Sequence, residues 1–176
     1  MDRGVLEAAP LLLGATITTR FDGEVVSIRT EEVEAYGGSD DPASHAFNGR
    51  TARNGPMFEE PGSLYVYLSY GIHWCMNFTA GPPGVPSAVL IRGGSVVDGV
   101  DTARRRRGRD DHLADGPGKL CQALAVTGVL TGTPPDGDLV CVRFRDQGPV
   151  AFEETPRIGV SKGTSRRWRF VASGPW

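Results

Sequence analysis

Apolar and polar positions alternate along most of this chain and take up helical spacing in only three short places. Residues 5–13 form an apolar run ended by Gly14, which predicts a short helix. Residues 98–107 predict a second helix. Residues 119–126 predict a third, with apolar side chains at 120, 123, 124 and 126 behind Gly116-Pro117-Gly118. Strand patterns fill 15–20 and 23–36, joined by the hairpin signal Asp22-Gly23. Aromatic and β-branched residues mark further strands at 63–69, 72–79, 87–92, 139–145 and 168–172. Gly81-Pro82-Pro83-Gly84 breaks the chain before the strand at 87. Residues 37–61 are rich in Gly, Pro, Asp, Asn and Ser and predict a long irregular segment, a length that compact domains reserve for function. No repeat or long linker divides the chain. The expected fold is α+β: one compact domain over residues 1–176, with a curved, mostly antiparallel sheet, flanking helices and a protruding β-hairpin.

Composition narrows the class. At 176 residues, with 39% hydrophobic and 23% charged side chains, the chain reads as an ordinary soluble globular protein. No run approaches the roughly 18 apolar residues of a membrane span. The start, Met1-Asp2-Arg3-Gly4-Val5, lacks the basic and apolar blocks of a signal peptide. A cytoplasmic bacterial monomer with no membrane contact is expected, nucleoid-associated if it meets DNA. Three cysteines without a Cys-x-x-Cys argue against a disulfide framework or zinc knuckle and predict buried free thiols. The net charge of −2 speaks against bulk-electrostatic nucleic-acid binding. The basic residues are nearly all arginine, however, and cluster at 104–107 with Arg109, at 166, 167 and 169, and at Arg50 and Arg53. Arginine forks suit phosphates.

The chemistry lies in two blocks. Glu31-Glu32-Val33-Glu34-Ala35-Tyr36 places a carboxylate in an apolar strand, beside an aromatic ring and nine residues before His45. An apolar setting strengthens a carboxylate as a base. In the second block Tyr65, Tyr67 and Tyr70 lead through Gly71 to Asn77. Tyr70-Gly71 predicts a hairpin tip with an outward aromatic, which has little structural use but could fill a gap between base pairs. Base, stacking rings and wedge together are what an enzyme needs to hold an extruded nucleobase and cut it from its sugar. Gly116-Pro117-Gly118-Lys119 opens a helix and offers a simple phosphate site, without the spacing of a P-loop. His45, His73 and His112 follow no ligand spacing, so no metal is expected.

At this point the chain resembles the alkyladenine (3-methyladenine) DNA glycosylases of the mammalian type, a family also found in bacteria. The matching stretches include Glu31 to Tyr36, Ser44-His45, Thr51-Ala52-Arg53-Asn54 through Met57-Phe58, Leu64 to Tyr67, Tyr70-Gly71, Cys75-Met76-Asn77, Val89 to Arg92, Gly116 to Leu124, Arg157-Ile158-Gly159 and the terminal Ser173-Gly174-Pro175-Trp176. They run in order along essentially the whole chain. The resemblance implies that Glu34 activates the attacking water, with Arg92 and the main-chain carbonyl of Ile158 placing it. It implies that Tyr36 and Tyr67 sandwich the extruded base, His45 meets its edge and Asn77 excludes guanine. Tyr70 would intercalate in the minor groove. Thr51, Arg53, Met57 and Lys119 would meet the DNA backbone. The implied partner is double-stranded DNA carrying damaged purines, and the family uses no cofactor. The 104–109 segment matches the family poorly. The residues alone also admit a catalytically silent lesion-binding module, or a hydrolase or transferase of small molecules. The intact Glu34 argues against the first, and the exposed Tyr70 and the arginine clusters against the second.

Overall fold

A computed structural model describes residues 4–82, 84–146 and 150–174. Pro83 of the expected chain break, Met1 to Arg3 and the terminal Pro175-Trp176 lie outside the described residues. Three helices, α1 (Val5–Leu11), α2 (Val100–Arg107) and α3 (Pro117–Leu124), pack around strands β1 (Thr16–Phe21), β2 (Glu24–Tyr36), β3 (Leu64–Ser69), β4 (His73–Ala80), β5 (Ser87–Asp98), β6 (Val140–Arg143), β7 (Phe152–Thr155) and β8 (Arg169–Ala172). All pairings are antiparallel, in the order β3-β4-β5-β2-β1-β6. Beyond the β1 ladder, the far half of β2 pairs with β8, and β8 with β7. Because β2 feeds two neighbours along one edge, the sheet curls instead of lying flat. The fold is α+β, as the pattern predicts.

Strand alternation places the core. Val33, Ala35, Leu64, Val66, Met76, Phe78, Val89 and Ile91 share one face and are buried against Leu12, Leu13, Leu120 and Leu124 of the helical layer. At roughly 25 cal/mol per Å² of apolar surface removed from water, this face supplies the main driving force.

Several boundaries differ from expectation for physical reasons. β5 runs to Asp98 instead of stopping at 92, because Gly93-Gly94 continues the strand. A Cβ on Gly94 would lie 2.2 Å from the Arg29 carbonyl oxygen, so glycine there permits close pairing with β2. β7 carries the exposed polar sequence of an edge strand, which leaves no alternation to read. Cys75 and Cys121 are buried as expected, but Cys141 on the edge strand β6 is only half-buried. The α2 arginines bind within the protein. Arg104 pairs with Asp101 at 3.1 Å, Arg105 and Arg106 both meet Glu24, and Arg106 donates to the Ala123 carbonyl at 3.0 Å. The segment thus braces α2 against β2 and α3. Among the described residues, no helix is long and apolar enough to cross a membrane.

Candidate active site

The face opposite the core carries the chemistry. Tyr65 lies opposite Asn77, Asn77 opposite Leu90, and Leu90 opposite Glu34. Cross-strand partners share a face, so one row crosses four strands. Flanking rows add Tyr67 opposite Cys75 and Tyr36 opposite Ala88. Arg92 falls on this face by plain alternation with Ala88 and Leu90. The ladder is irregular beside it: Glu32 pairs with Gly93 and Val33 with Ile91, which leaves Arg92 without a cross-strand partner.

Glu34 is fully buried. Its Oε2 accepts from the Tyr36 hydroxyl at 2.8 Å, and its Oε1 accepts from the Ile158 main-chain N–H at 2.7 Å. The Arg92 guanidinium stands 3.5 Å away. Arg92 also donates through Nε to Glu32 at 2.8 Å, and Glu32 takes a further bond from Arg169 at 2.5 Å. Burial alone would depress the Arg92 guanidinium, but the two carboxylates outweigh it and hold it above its ordinary value. Burial, and then Glu34 beside it, pushes the Tyr36 phenol up, so it remains a hydrogen-bond donor.

A cavity of about 560 Å³ opens on this face. Tyr36, His45, Tyr65, Tyr67, Tyr70, Asn77, Leu90, Arg92 and the 158–162 segment line it. Glu34 lies one layer behind, screened by Tyr36, Arg92 and Ile158. His45 Nδ1 shares a 2.8 Å hydrogen bond with the Tyr65 hydroxyl, and its ring stands edge-on to Tyr67 at 4.5 Å. Burial, reinforced by nearby Arg53, lowers the His45 pKa, so the ring stays neutral at neutral pH. Burial pushes the Tyr65 phenol up to about 12 against the pull of Arg53. Asn77 is buried, with Nδ2 donating to the Tyr65 carbonyl at 2.8 Å and the Cys75 carbonyl at 3.2 Å. The site residues expected from sequence therefore converge, with Tyr70 at the mouth and 90% exposed.

The four residues expected at the DNA backbone are placed less uniformly. Thr51 is exposed and exchanges bonds with Asn54, its N–H donating to Oδ1 at 2.6 Å. Arg53 donates to the Leu68 carbonyl at 2.9 Å and lies over the Tyr67 ring. Met57 lines the cavity but is buried against Ala46, Tyr65 and Ala88. Lys119 pairs with Asp115 at 3.0 Å.

Reasoning from residue types missed three contributors. Asn54 ties the loop beneath His45, donating to the His45 carbonyl at 2.8 Å and the Gly49 carbonyl at 3.0 Å. Asp41 and Arg157 form a buried two-pronged pair at 2.6 and 2.8 Å. Burial alone would raise the Asp41 carboxyl, but Arg157 beside it holds it below the usual range. Arg157 acts on Asp41 and Ala35, 116 and 122 positions away, which no local signal marks, whereas Asn54 works within its own loop. No group of three or more His, Cys, Asp or Glu residues able to hold a metal ion occurs among the described residues.

The site is thus a buried carboxylate behind an aromatic cavity, with a bare aromatic at its mouth. The family model described as methylpurine-DNA glycosylase matches residues 1–175, and the chain belongs to that family. It is thus a DNA glycosylase of DNA repair. A protein of Frankia casuarinae is 48% identical over 98% of this chain and 86% of its own length. Another, of Cutibacterium acnes, is 47% identical over 97% and 95%. One from Streptomyces avermitilis is 44% identical over 96% and 83%. Each carries the name "Putative 3-methyladenine DNA glycosylase".

Proposed function

We propose that this glycosylase flips a damaged purine out of double-stranded DNA and hydrolyses its bond to the sugar, leaving an abasic site. 3-Methyladenine is the first substrate, on the strength of the relatives' shared name. Hypoxanthine and ethenoadenine are the further ones. The observation that carries this reading is Glu34, fully buried behind the aromatic cavity and bonded there by three lining groups. A carboxylate offers about four acceptor positions. Tyr36, Ile158 and Arg92 occupy three, and the fourth takes the attacking water. Ile158 adds its carbonyl to that water's site and Arg92 its charge.

Tyr70 enters the stack as the nucleotide leaves it. The base then lies between Tyr36 and Tyr67, with neutral His45 at its edge. Positive charge builds on the sugar as the bond breaks, as in glycoside hydrolysis, and Glu34 stabilises it while taking the water's proton. An alkylated purine already carries positive charge and leaves readily, whereas a neutral lesion needs a proton. Asn77 cannot swing aside for an exocyclic amino group, because its amide is fastened to two carbonyls. Thr51, Arg53 and Lys119 meet phosphates on either side, with Lys119 exchanging its Asp115 partner, while Met57, expected at the backbone, is buried and supports Tyr65 instead. No step calls for a metal or cofactor, and the enzyme works as a cytoplasmic, nucleoid-associated monomer.

The test is a panel of alkylated, deaminated and etheno-modified duplexes at low salt. Release of free base from at least one is expected, with binding that weakens as salt rises. Glu34→Gln should cut the single-turnover rate at least about a hundredfold, at the low end for general-base loss, and leave lesion affinity within a few-fold. Retention of more than about a tenth of the rate would remove Glu34 from the role of base. Binding without release from any duplex would favour the silent module.

A further inference from the structure

Asp41 and Arg157 stand outside the cavity wall, yet they tie together three segments that build it: the end of β2, the turn leading to His45 and the segment beginning at Ile158. Both side chains are fully buried. Arg157 donates to Asp41 Oδ2 at 2.6 Å, to Asp41 Oδ1 at 2.8 Å and to the Ala35 carbonyl at 2.9 Å. Ala35 is the residue between Glu34 and Tyr36. The Arg157 guanidinium lies 4.7 Å from the Tyr36 ring centre and 5.1 Å from that of Trp168. Arg166 covers Trp168 in turn at 4.4 Å. Asp41 accepts the Gly37 N–H at 3.0 Å and the Ala43 N–H at 3.2 Å, on the turn that leads to His45. The residue after Arg157 is Ile158, whose N–H holds Glu34.

A buried ion pair is a poor device for stability alone, because burial of the charges offsets their attraction. This one also leaves the Arg157 Nε–H buried with no hydrogen-bond partner among the described residues. A group kept at such cost calls for another reason. We propose that the Arg157–Asp41 pair is the positioning element of this site: it fills the far face of Tyr36, so that only the cavity face is open to a base, and it sets the Ile158 amide on Glu34. The proposal rests on the reading that the extruded base stacks on Tyr36. Arg157 is a positioning residue, acting through Tyr36 and Ile158 and not on the substrate.

The test uses a duplex carrying one ethenoadenine, with a hypoxanthine duplex in parallel. Arg157→Lys keeps the charge and one bond to Asp41 but loses the fork and the flat stack. The single-turnover rate per folded molecule should fall about tenfold to a hundredfold, the scale of small misplacements of reacting groups. Affinity for the same duplex should change by less than about threefold, a split between chemistry and binding that lost stability alone does not produce. Arg157→Lys combined with Tyr36→Phe should be hardly slower than the slower single variant, since both act on one ring. Trp168→Leu leaves the ion pair in place and removes only its backing; it should lower the rate a few-fold, and it carries the test if Arg157→Lys does not fold. A normal rate per folded molecule in whichever of these variants folds, or fully additive losses with Tyr36→Phe, would overturn the proposal. A wild-type protein that releases no base from these duplexes or from alkylated DNA is a different result: it removes the functional reading, and the proposal with it.

Discussion

The β1–β2 and β3–β4 hairpins each pair six residues with six; the first closes through two residues and the second through three, and the first two residues of each turn lie in the left-handed region. Asp22 and Gly23 have φ of 54° and 76°; Tyr70 and Gly71 have 49° and 70°. These are the conformations that match the twist of paired strands. The first turn uses them in the ordinary way, with a short polar residue that tolerates positive φ. The second places a bulky aromatic there, at a strain of about 1 kcal/mol or more. The Tyr70 ring recovers little of that in the free protein, being 90% exposed, and Ile72 beside it is 71% exposed. One backbone thus serves two ends. Where a local preference is broken without a packing return, the return is sought in a partner; the partner proposed for Tyr70 is the base stack.

The largest effect on this contrast comes from the two first turn residues. Tyr70→Ala should weaken capture of the flipped nucleotide about fivefold to a hundredfold, the worth of one lost base–aromatic stack. It should leave chemical stability unchanged. Tyr70→Asn should weaken capture equally and raise stability by up to about 1 kcal/mol, because asparagine accepts the turn conformation. Asp22→Asn should do neither. A fluorescent base beside the lesion reads capture, and urea melts read stability. An unchanged flipping equilibrium in Tyr70→Ala would make the tyrosine mere hairpin decoration.

The two hairpins also show what a sequence discloses. Asp22-Gly23 between alternating strands is a turn by composition alone, and the strands it joins appear within a residue or so of their expected ends. Tyr70-Gly71 was legible as a tip, but not which face Tyr65 and Tyr67 would take. That depends on register: pairing of Tyr65 with Asn77 and Tyr67 with Cys75 puts both rings on the side of Glu34. Arg92 shares that face by plain alternation with Ala88 and Leu90, whereas the irregularity beside it in the β2–β5 ladder leaves no local trace. Glu34 was marked by its apolar strand setting, whereas Tyr36, His45 and Asn77 are ordinary residues for their places and stood out only through the order of the family's motifs. Asp41, Asn54, Arg157 and Trp168 were not legible. Asp41 and Arg157 work across a separation of 116 positions, and Asn54 works through loop bonds that its residue type does not disclose. The α2 arginines mislead in the opposite sense: the cluster suggests phosphate, yet Glu24, on a distant strand, takes two of its guanidinium groups.

The second turn residues sharpen the comparison. A Cβ on Gly23 or on Gly71 would meet nothing within 4 Å, so alanine at either position tests backbone conformation alone. Gly23→Ala and Gly71→Ala should each cost about 1 kcal/mol, the penalty of a left-handed residue with a side chain. The two melts should therefore shift together. Only Gly71→Ala should alter excision, because only that turn aims a wedge. Unequal stability losses would mean that the two turns do not share a backbone solution.

The smallest effect separates the hairpins by pH. The β3–β4 rings carry a titratable neighbour, since His45 bonds to Tyr65 and meets the face of Tyr67 edge-on. The β1–β2 hairpin is pinned instead by the Thr18–Ser27 hydroxyl pair at 2.9 Å, which does not titrate. Burial, then the charge of Arg53, lowers the folded His45 pKa below its ordinary 6.5. As pH falls through 6.5 the unfolded chain binds this proton first, so the folded state loses stability relative to it. The loss begins near pH 6.5 and levels off once pH has passed below the folded value. Above 6.5 both states are neutral at this position and nothing is lost. Asp41, lowered from 3.8, begins to lose its contribution only under more acid conditions. Urea melts at pH 7.5, 6.5 and 5.5 should therefore show a decline that His45→Gln reduces, with Asp22→Asn following the wild type. Equal slopes in wild type and His45→Gln would show that protonated His45 is accommodated beside the tyrosines at no cost. The neutral edge assigned to it in base recognition would then lose its physical ground.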